Sequence, residues 1–220
     1  MTARADIRLY RVAHGKLLPS LVTRGLLCRR AVHAEGIQFQ TISNEEIEAK
    51  RAATAVPCGP GGTLHDYVPF HFGPRSPMMS RISYRNLPAY TQGQRPLVYL
   101  VTSVATITSA GLRFVYTDGH PLASLSDTFD DADLIEEQVD LPLMRARYWK
   151  DTEDDPDRER RRQAELLVHE RVPWEVIEEI GVMDAAIKSR VEEILLSASG
   201  TPHAPRVSVR PGWYYKEVQP

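Results

Sequence analysis

The sequence predicts a mixed α+β fold, and three observations carry that prediction. Short strand-like segments recur from one end of the chain to the other. Helices with recognisable caps and stops fall between them. A length of 220 residues at 42% hydrophobic content supplies one core of ordinary size, able to bury roughly 70% of the unfolded surface without a disulfide or metal staple.

The first element is "DIRLYRV", whose apolar and polar residues alternate at a period of two, as in a half-buried strand ending near His14. "KLLPSLVTRGLL" predicts a short helix closed by Gly25, and "SNEEIEAKRAATAVP" a helix capped by Ser43 or Asn44, acidic in its first turn and stopped before Pro57. "CGPGG" is a loop. "LVYLVTS" and "RFVYTDGH" are strands, with a helical piece around Val104–Ala110 between them. Residues 127–140 carry many acids and few apolar anchors, which predicts a mobile excursion or an exposed helix. "DTEDDPDRERRR" switches from acidic to basic and predicts a surface loop. "QAELLVHE" has the composition of a buried strand, and "WEVIEEIGV" predicts another with a bend. "MDAAIKSRVEEILLSA" spaces its apolar residues as an amphipathic helix ended by Gly200. "RVSVRPGWYY" returns as an edge strand, since Pro211 disfavours a central position. No internal repeat is visible.

Charge and cysteine usage narrow the class. Twenty-seven basic against twenty-nine acidic side chains give a net charge of −2, so contact with nucleic acid must come from local basic clusters rather than a global positive field. Cys28 and Cys58 are the only cysteines and read as buried free thiols. No secretion signal or membrane-spanning run is visible, which together with the thiols predicts a cytoplasmic protein without membrane contact.

Residues 64–79, "LHDYVPFHFGPRSPMM", are too apolar for an ordinary loop and too rich in proline for a core strand. They predict one wall of a small-molecule site. Gly59, Gly61 and Gly62 lack the following Gly-Lys-Ser/Thr of a phosphate loop, and no GxGxxG follows a strand. The acidic runs lack calcium-loop spacing, and no histidine has metal spacing with another, so no metal is expected. Glu48–Lys50, "EAK", matches the E-x-K of metal-dependent nucleases but falls inside a predicted helix, where that chemistry wants a strand. "RARYWK" and "RERRR" mix cations with Tyr148 and Trp149, a combination that holds single-stranded nucleic acid by stacking and phosphate contact. A charged helix surface with one buried tryptophan is the equal alternative. Gln163 and Glu165, one residue apart in a predicted strand, point the same way. A carboxylate among Ala164, Leu166, Leu167 and Val168 is costly unless it is paired or used.

Taken together, "LYRVAHG", "AKRAATAVPCGPGGTLHDYVPFHFGPRSPMM", "FVYTDGH" and "RYWKDTEDDPDRERRRQAELLVHERVPW" resemble the DarT family, bacterial toxins that transfer ADP-ribose from NAD to a base in single-stranded DNA. The resemblance runs from about Ile7 to the final "RPGWYY". It implies one ADP-ribosyltransferase domain over residues 1–220, with two curved, antiparallel-type sheets splayed around an NAD cleft and helices surrounding them. It implies Glu165 as the catalytic glutamate beside the ribose and Arg51 as an arginine acting on the attacked base, which the resemblance gives as thymine. His14, the Gly15 backbone and Arg11 would grip NAD from the first strand. His71, Phe72, Arg75 and Met78 would line the nicotinamide-ribose pocket, with His120 facing the same cleft. Residues 121–150 correspond to the substrate-recognising loop, and Arg145, Arg147, Tyr148, Trp149, Arg158, Arg161 and Arg162 would contact DNA. NAD is then a substrate, and a DarG-like macrodomain antitoxin is the implied partner of a monomeric toxin. The chain departs from the family at His71, Arg11 and Ala13. A metal-dependent nuclease and a nucleic-acid binding module without catalysis are the alternative readings.

Overall fold

The computed structural model describes residues 7–37, 45–84, 90–198 and 203–216. In chain order it places β1 (Arg8–His14), α1 (Leu18–Arg24), β2 (Leu26–Leu27), α2 (Arg29–Ala34), α3 (Glu45–Ala53), β3 (Tyr67–His71), α4 (Pro77–Ser83), β4 (Leu97–Ser103), α5 (Val104–Ser109), β5 (Phe114–Thr117), β6 (Thr128–Phe129), α6 (Ile135–Gln138), α7 (Leu141–Arg145), α8 (Arg158–Arg161), β7 (Glu165–His169), β8 (Arg171–Val172), β9 (Glu179–Val182), α9 (Ala185–Ser197) and β10 (Arg206–Val209).

Eight strands form one open mixed sheet in the order β10-β9-β4-β1-β3-β7-β5-β6, and β2 pairs with β8 apart from it. All pairings are antiparallel except β10 with β9. The sheet behaves as two halves. β1 pairs with β4 along its whole length, from Arg8 opposite Ser103 to His14 opposite Leu97, and β3 pairs with β7 from Tyr67 opposite His169 to His71 opposite Glu165. Between the halves, β1 meets β3 at one residue pair, Tyr10 with His71. Pro69 explains the parting: it has no N–H to give β1, and its carbonyl accepts from Arg11 Nη1 at 2.9 Å instead of from a ladder amide. The two splayed sheets expected from the resemblance are these halves, joined at one point.

Side-chain alternation decides which face of β3 does what. Val68, Phe70 and Phe72 enter the main core with Leu9, Leu100 and Leu166, and Tyr67, Pro69 and His71 face the other way. A second cluster of Met79, Tyr99, Val101 and Tyr214 covers the opposite side of β4.

Several expectations hold. α1 ends on Gly25 at φ 72°, a left-handed turn open to glycine at no steric cost. α9 opens on Asp184, whose side chain accepts from the Ile187 amide at 2.9 Å. β10 lies at the sheet edge. The proposed caps of α3, Ser43 and Asn44, and the stop at Gly200 lie outside the described residues; α9 itself ends at Ser197. Residues 127–140 are neither an excursion nor an exposed helix. Thr128–Phe129 pairs with β5, Phe129 stacks on Tyr116 with ring centroids 5.4 Å apart, and Ile135 and Val139 are buried. Few apolar anchors suffice when each one is used. The predicted surface loop at 151–162 contains α8, and of "WEVIEEIGV" only the second half is strand, Trp174–Val176 forming a 3-10 turn. Cys28 is buried and Cys58 half-buried, and both are free thiols. No helix among the described residues is long and apolar enough to cross a membrane.

Candidate active site

A crevice of about 410 Å³ opens where β1 and β3 diverge. Arg11 to His14 of β1 form one wall, Tyr67, Pro69 and His71 of β3 the other, and Glu165, His120, Arg51 and Met78 close around them. The stretch 64–79 supplies wall positions at 64, 65, 67, 69, 71 and 76–78, so its apolar and proline-rich composition does mark a pocket lining.

Glu165 is placed by its register. It opens β7 directly opposite His71, and its amide donates to Thr117 Oγ1 at 3.1 Å. Arg51, in the last turn of α3, reaches it with both terminal nitrogens, Nη2 to Oε2 at 3.0 Å and Nη1 to Oε1 at 3.3 Å. Both side chains are about one-tenth exposed. α3 is held by Glu48, which pairs with Arg29 and His65 at 3.4 and 3.3 Å, one turn before Arg51 on the same helix face.

Burial alone would push the Glu165 carboxyl up. The Arg51 charge, His71, the Arg51 hydrogen bonds and His120 outweigh it, and its pKa falls below the ordinary carboxylate value. Burial pushes His71 and His120 down against the pull of Glu165, with nearby arginines adding to the fall, so both rings are neutral at pH 7. Arg11 falls to about 10, through burial first and the like charge of Arg51 second. His14 and His120 are fixed tautomers. His14 Nδ1 accepts from the Lys16 amide, leaving Nε2–H to donate to Gln92 at 3.0 Å. His120 Nδ1 accepts from the Leu122 amide at 3.1 Å, which places its proton on Nε2. Around Glu165, therefore, an ionised acid, the Arg51 and Arg11 guanidiniums and the neutral imidazoles of His71 and His120 face a largely apolar crevice. The set can stabilise a positive centre on a sugar and negative charge on an acceptor.

Of the residues proposed for NAD, Arg11, His14, His71, Met78 and His120 line this crevice with Glu165 and Arg51. Three do not. Phe72 turns into the core by strand alternation. Arg75, at φ 64°, stacks its guanidinium on Tyr215, 4.5 Å from the ring centroid. The Gly15 amide is taken by the Pro96 carbonyl at 2.9 Å and its carbonyl by the Leu18 amide. Of the DNA set, Arg145, Arg147 and Tyr148 are exposed, Tyr148 by 80%. Trp149 is instead buried, with its indole N–H on the Tyr215 hydroxyl at 2.9 Å. Arg162 is 1% exposed and donates to the Pro74 carbonyl. Arg161 is held by Asp140, Asp155 and Asp157, and Arg158 donates to the Tyr148 carbonyl at 2.9 Å. These four brace the 141–162 region from within.

Sequence reasoning missed the crevice's far wall, where Leu17, Ser20, Arg24, Leu27, Arg29 and Ile37 converge from α1, β2 and α2. None of these residues carries a sequence signal of its own; Arg29 pairs with Glu48 of the "EAK" triplet only through the fold. Lys50 of that triplet is exposed and pairs with Glu46, so Glu48 and Lys50 serve different neighbours on a helix.

Comparison with known proteins agrees with this geometry. The family model described as "ssDNA thymidine ADP-ribosyltransferase, DarT" matches residues 10–215. A DNA ADP-ribosyl transferase of Thermus aquaticus is 36% identical over 209 residues, 95% of this chain and 89% of that protein. The solved structures of Thermus sp. 2.9 DarT in complex with ADP-ribosylated ssDNA and with NAD+ match with TM-scores of 0.87 and 0.84 at 34% identity, covering 95% of this chain and 96% and 98% of theirs. A DNA ADP-ribosyl transferase–DNA ADP-ribosyl glycohydrolase fusion protein of Thermosipho africanus is 22% identical over 187 residues, 85% of this chain and 45% of that protein. With a matched family model over nearly its full length and an acid–guanidinium pair at the floor of its crevice, the chain belongs to the DarT family of single-stranded-DNA thymidine ADP-ribosyltransferases.

Proposed function

We propose that the chain is a single-domain toxin that moves the ADP-ribosyl group of NAD onto a thymine of single-stranded DNA and releases nicotinamide. The observation that carries this reading is the buried Glu165–Arg51 pair inside an apolar crevice, in a member of this family. NAD lies between β1 and β3 as a substrate. The bond from the ribose to nicotinamide breaks with its electron pair leaving on nicotinamide, and the sugar becomes oxocarbenium-like. Glu165, held ionised, stabilises that centre and the ribose hydroxyls beside it. A ring nitrogen of thymine then attacks the sugar carbon, and its proton passes to solvent water. Arg51, which keeps its charge, steadies the electron-rich base rather than acting as the base. Arg11, His14, His71, Met78 and His120 position NAD. Residues 121–150, with Arg145, Arg147 and Tyr148 exposed, receive the DNA.

Two free thiols suit a reducing cytoplasm, and the chain acts there as a monomer. Its restraint is a DarG-like macrodomain antitoxin that strips the modification; the Thermosipho relative carries a DNA ADP-ribosyl glycohydrolase fused to its transferase. The test is to incubate the protein with NAD and thymine-containing single strands of randomised context. DNA heavier by one ADP-ribosyl group, with an equal yield of nicotinamide, is expected. Unmodified DNA in every context, from a protein that still binds NAD, would refute the reading. The nuclease alternative predicts strand cleavage that ignores NAD, and a module without catalysis predicts that Glu165→Ala leaves toxicity unchanged.

A further inference from the structure

β1 and β3 part on both sides of the Tyr10–His71 pair. On one side lies the crevice. On the other, Arg8 and Tyr10 of β1 face Phe72 and Gly73, and α7 closes the gap with Met144 and Arg145 around about 330 Å³. No residue lines both cavities. Gly73 is pressed so closely on the Met144 carbonyl that a Cβ there would collide with it, so the turn after β3 and α7 form one continuous lining.

The chemistry of this second pocket is basic and aromatic. Arg145 is exposed and has no ion pair among the described residues. Arg8, about one-third exposed, lies 5.8 Å from the ring centroids of Tyr10 and Trp213. Its acid, Glu179, is shared with Arg206 and Arg210. Three guanidiniums thus share one carboxylate, and Arg145 adds a further cation at the pocket wall, in a chain whose net charge is −2. Flat rings and uncompensated guanidiniums fit a nucleotide: phosphate between the cations, base on the apolar floor. Gly73 is two residues from His71, which faces Glu165. That is at most about 7 Å of chain, so a strand whose thymine sits at Glu165 has a neighbouring nucleotide within reach of the pocket.

We propose that the pocket between Arg8 and Arg145 holds a nucleotide next to the modified thymidine on the same strand. The inference rests on the transferase reading and adds a site that reads flanking DNA. Its test compares full-length wild type, Arg145→Glu and Arg145→Lys on two substrates. One is a long strand. The other is trimmed to the thymidine and the single neighbour on the side away from the pocket, with both trimming directions made. Arg145→Glu should cut the preference for the long strand about tenfold, the scale of one charge-assisted contact. It should also flatten the salt dependence of DNA binding by about 0.7 in log–log slope, the loss of one phosphate contact. Arg145→Lys, which keeps the charge, should restore that slope. Equal losses on long and trimmed strands, an unchanged slope, or a matching rise in the KM for NAD would overturn the site while leaving the transferase intact. Wild type that modifies neither strand would refute the transferase reading and the pocket with it.

Discussion

Glu165 and Glu179 are near twins by local criteria. Each opens a strand, each is under one-tenth exposed, and each has apolar neighbours and an arginine partner. They differ in how fully they are answered. Glu179 is met by Arg8, Arg206 and Arg210, and it lines neither of the two cavities described. Burial raises its pKa, but the three sets of hydrogen bonds push it down to about 2. Glu165 is met by one guanidinium, with neutral histidines beside it and open crevice in front. A buried acid met on both oxygens by three cations is a rivet; one that faces space with a single cation is poised to meet a second positive centre. Partner count and adjoining volume, rather than burial, separate structure from chemistry here.

The largest break in the comparison comes from Glu165→Gln. It should lower kcat/KM for DNA modification by about 10³, the scale of a transition-state electrostatic contact, while the denaturation midpoint stays close to wild type. Glu179→Ala should do the reverse, costing about 3–5 kcal/mol of stability by leaving guanidiniums without their acid, read from chemical denaturation. The same pair sets an acid dependence. The folded pKa of Glu179 lies below the unfolded value of 4.5, so its stabilisation is complete above about pH 4.5 and is lost as pH falls towards 2. Wild type should weaken across that window, and Glu179→Ala should lack that part of the slope. The smallest effect belongs to Arg206→Ala. Arg206 is 69% exposed and one of three partners, so its removal should cost at most about 0.5 kcal/mol. A loss as large as that of Glu179→Ala would mean that the three arginines are not redundant.

The sequence made elements legible where local rules are sufficient. β1 and β4 follow from period and composition, α1 from Gly25, and α9 from its apolar spacing. β3 was half legible. Its composition marked a pocket wall, yet the alternation of Tyr67, Pro69 and His71 against Val68, Phe70 and Phe72 already assigns Phe72 to the core. The basic cluster at 158–162 shows only part of its answer in sequence: Asp155 and Asp157 stand beside it, but Asp118, which meets Arg160, and Asp140, which meets Arg161, lie elsewhere in the chain. Trp149 depends on Tyr215 in the same way. A run of cations displays its charge in sequence and conceals its partners. The far wall of the crevice was illegible because α1, β2 and α2 bring to it leucines, a serine and arginines that look like any others.

The single Tyr10–His71 ladder pair has a mechanical corollary. A sheet fastened across its middle by one pair is a clasp, whose two wings are held to each other by the shared core more than by backbone bonds. A molecule lodged in the gap touches both wings and takes over the bracing that absent backbone bonds would give, so filling the gap and stiffening the enzyme are one event.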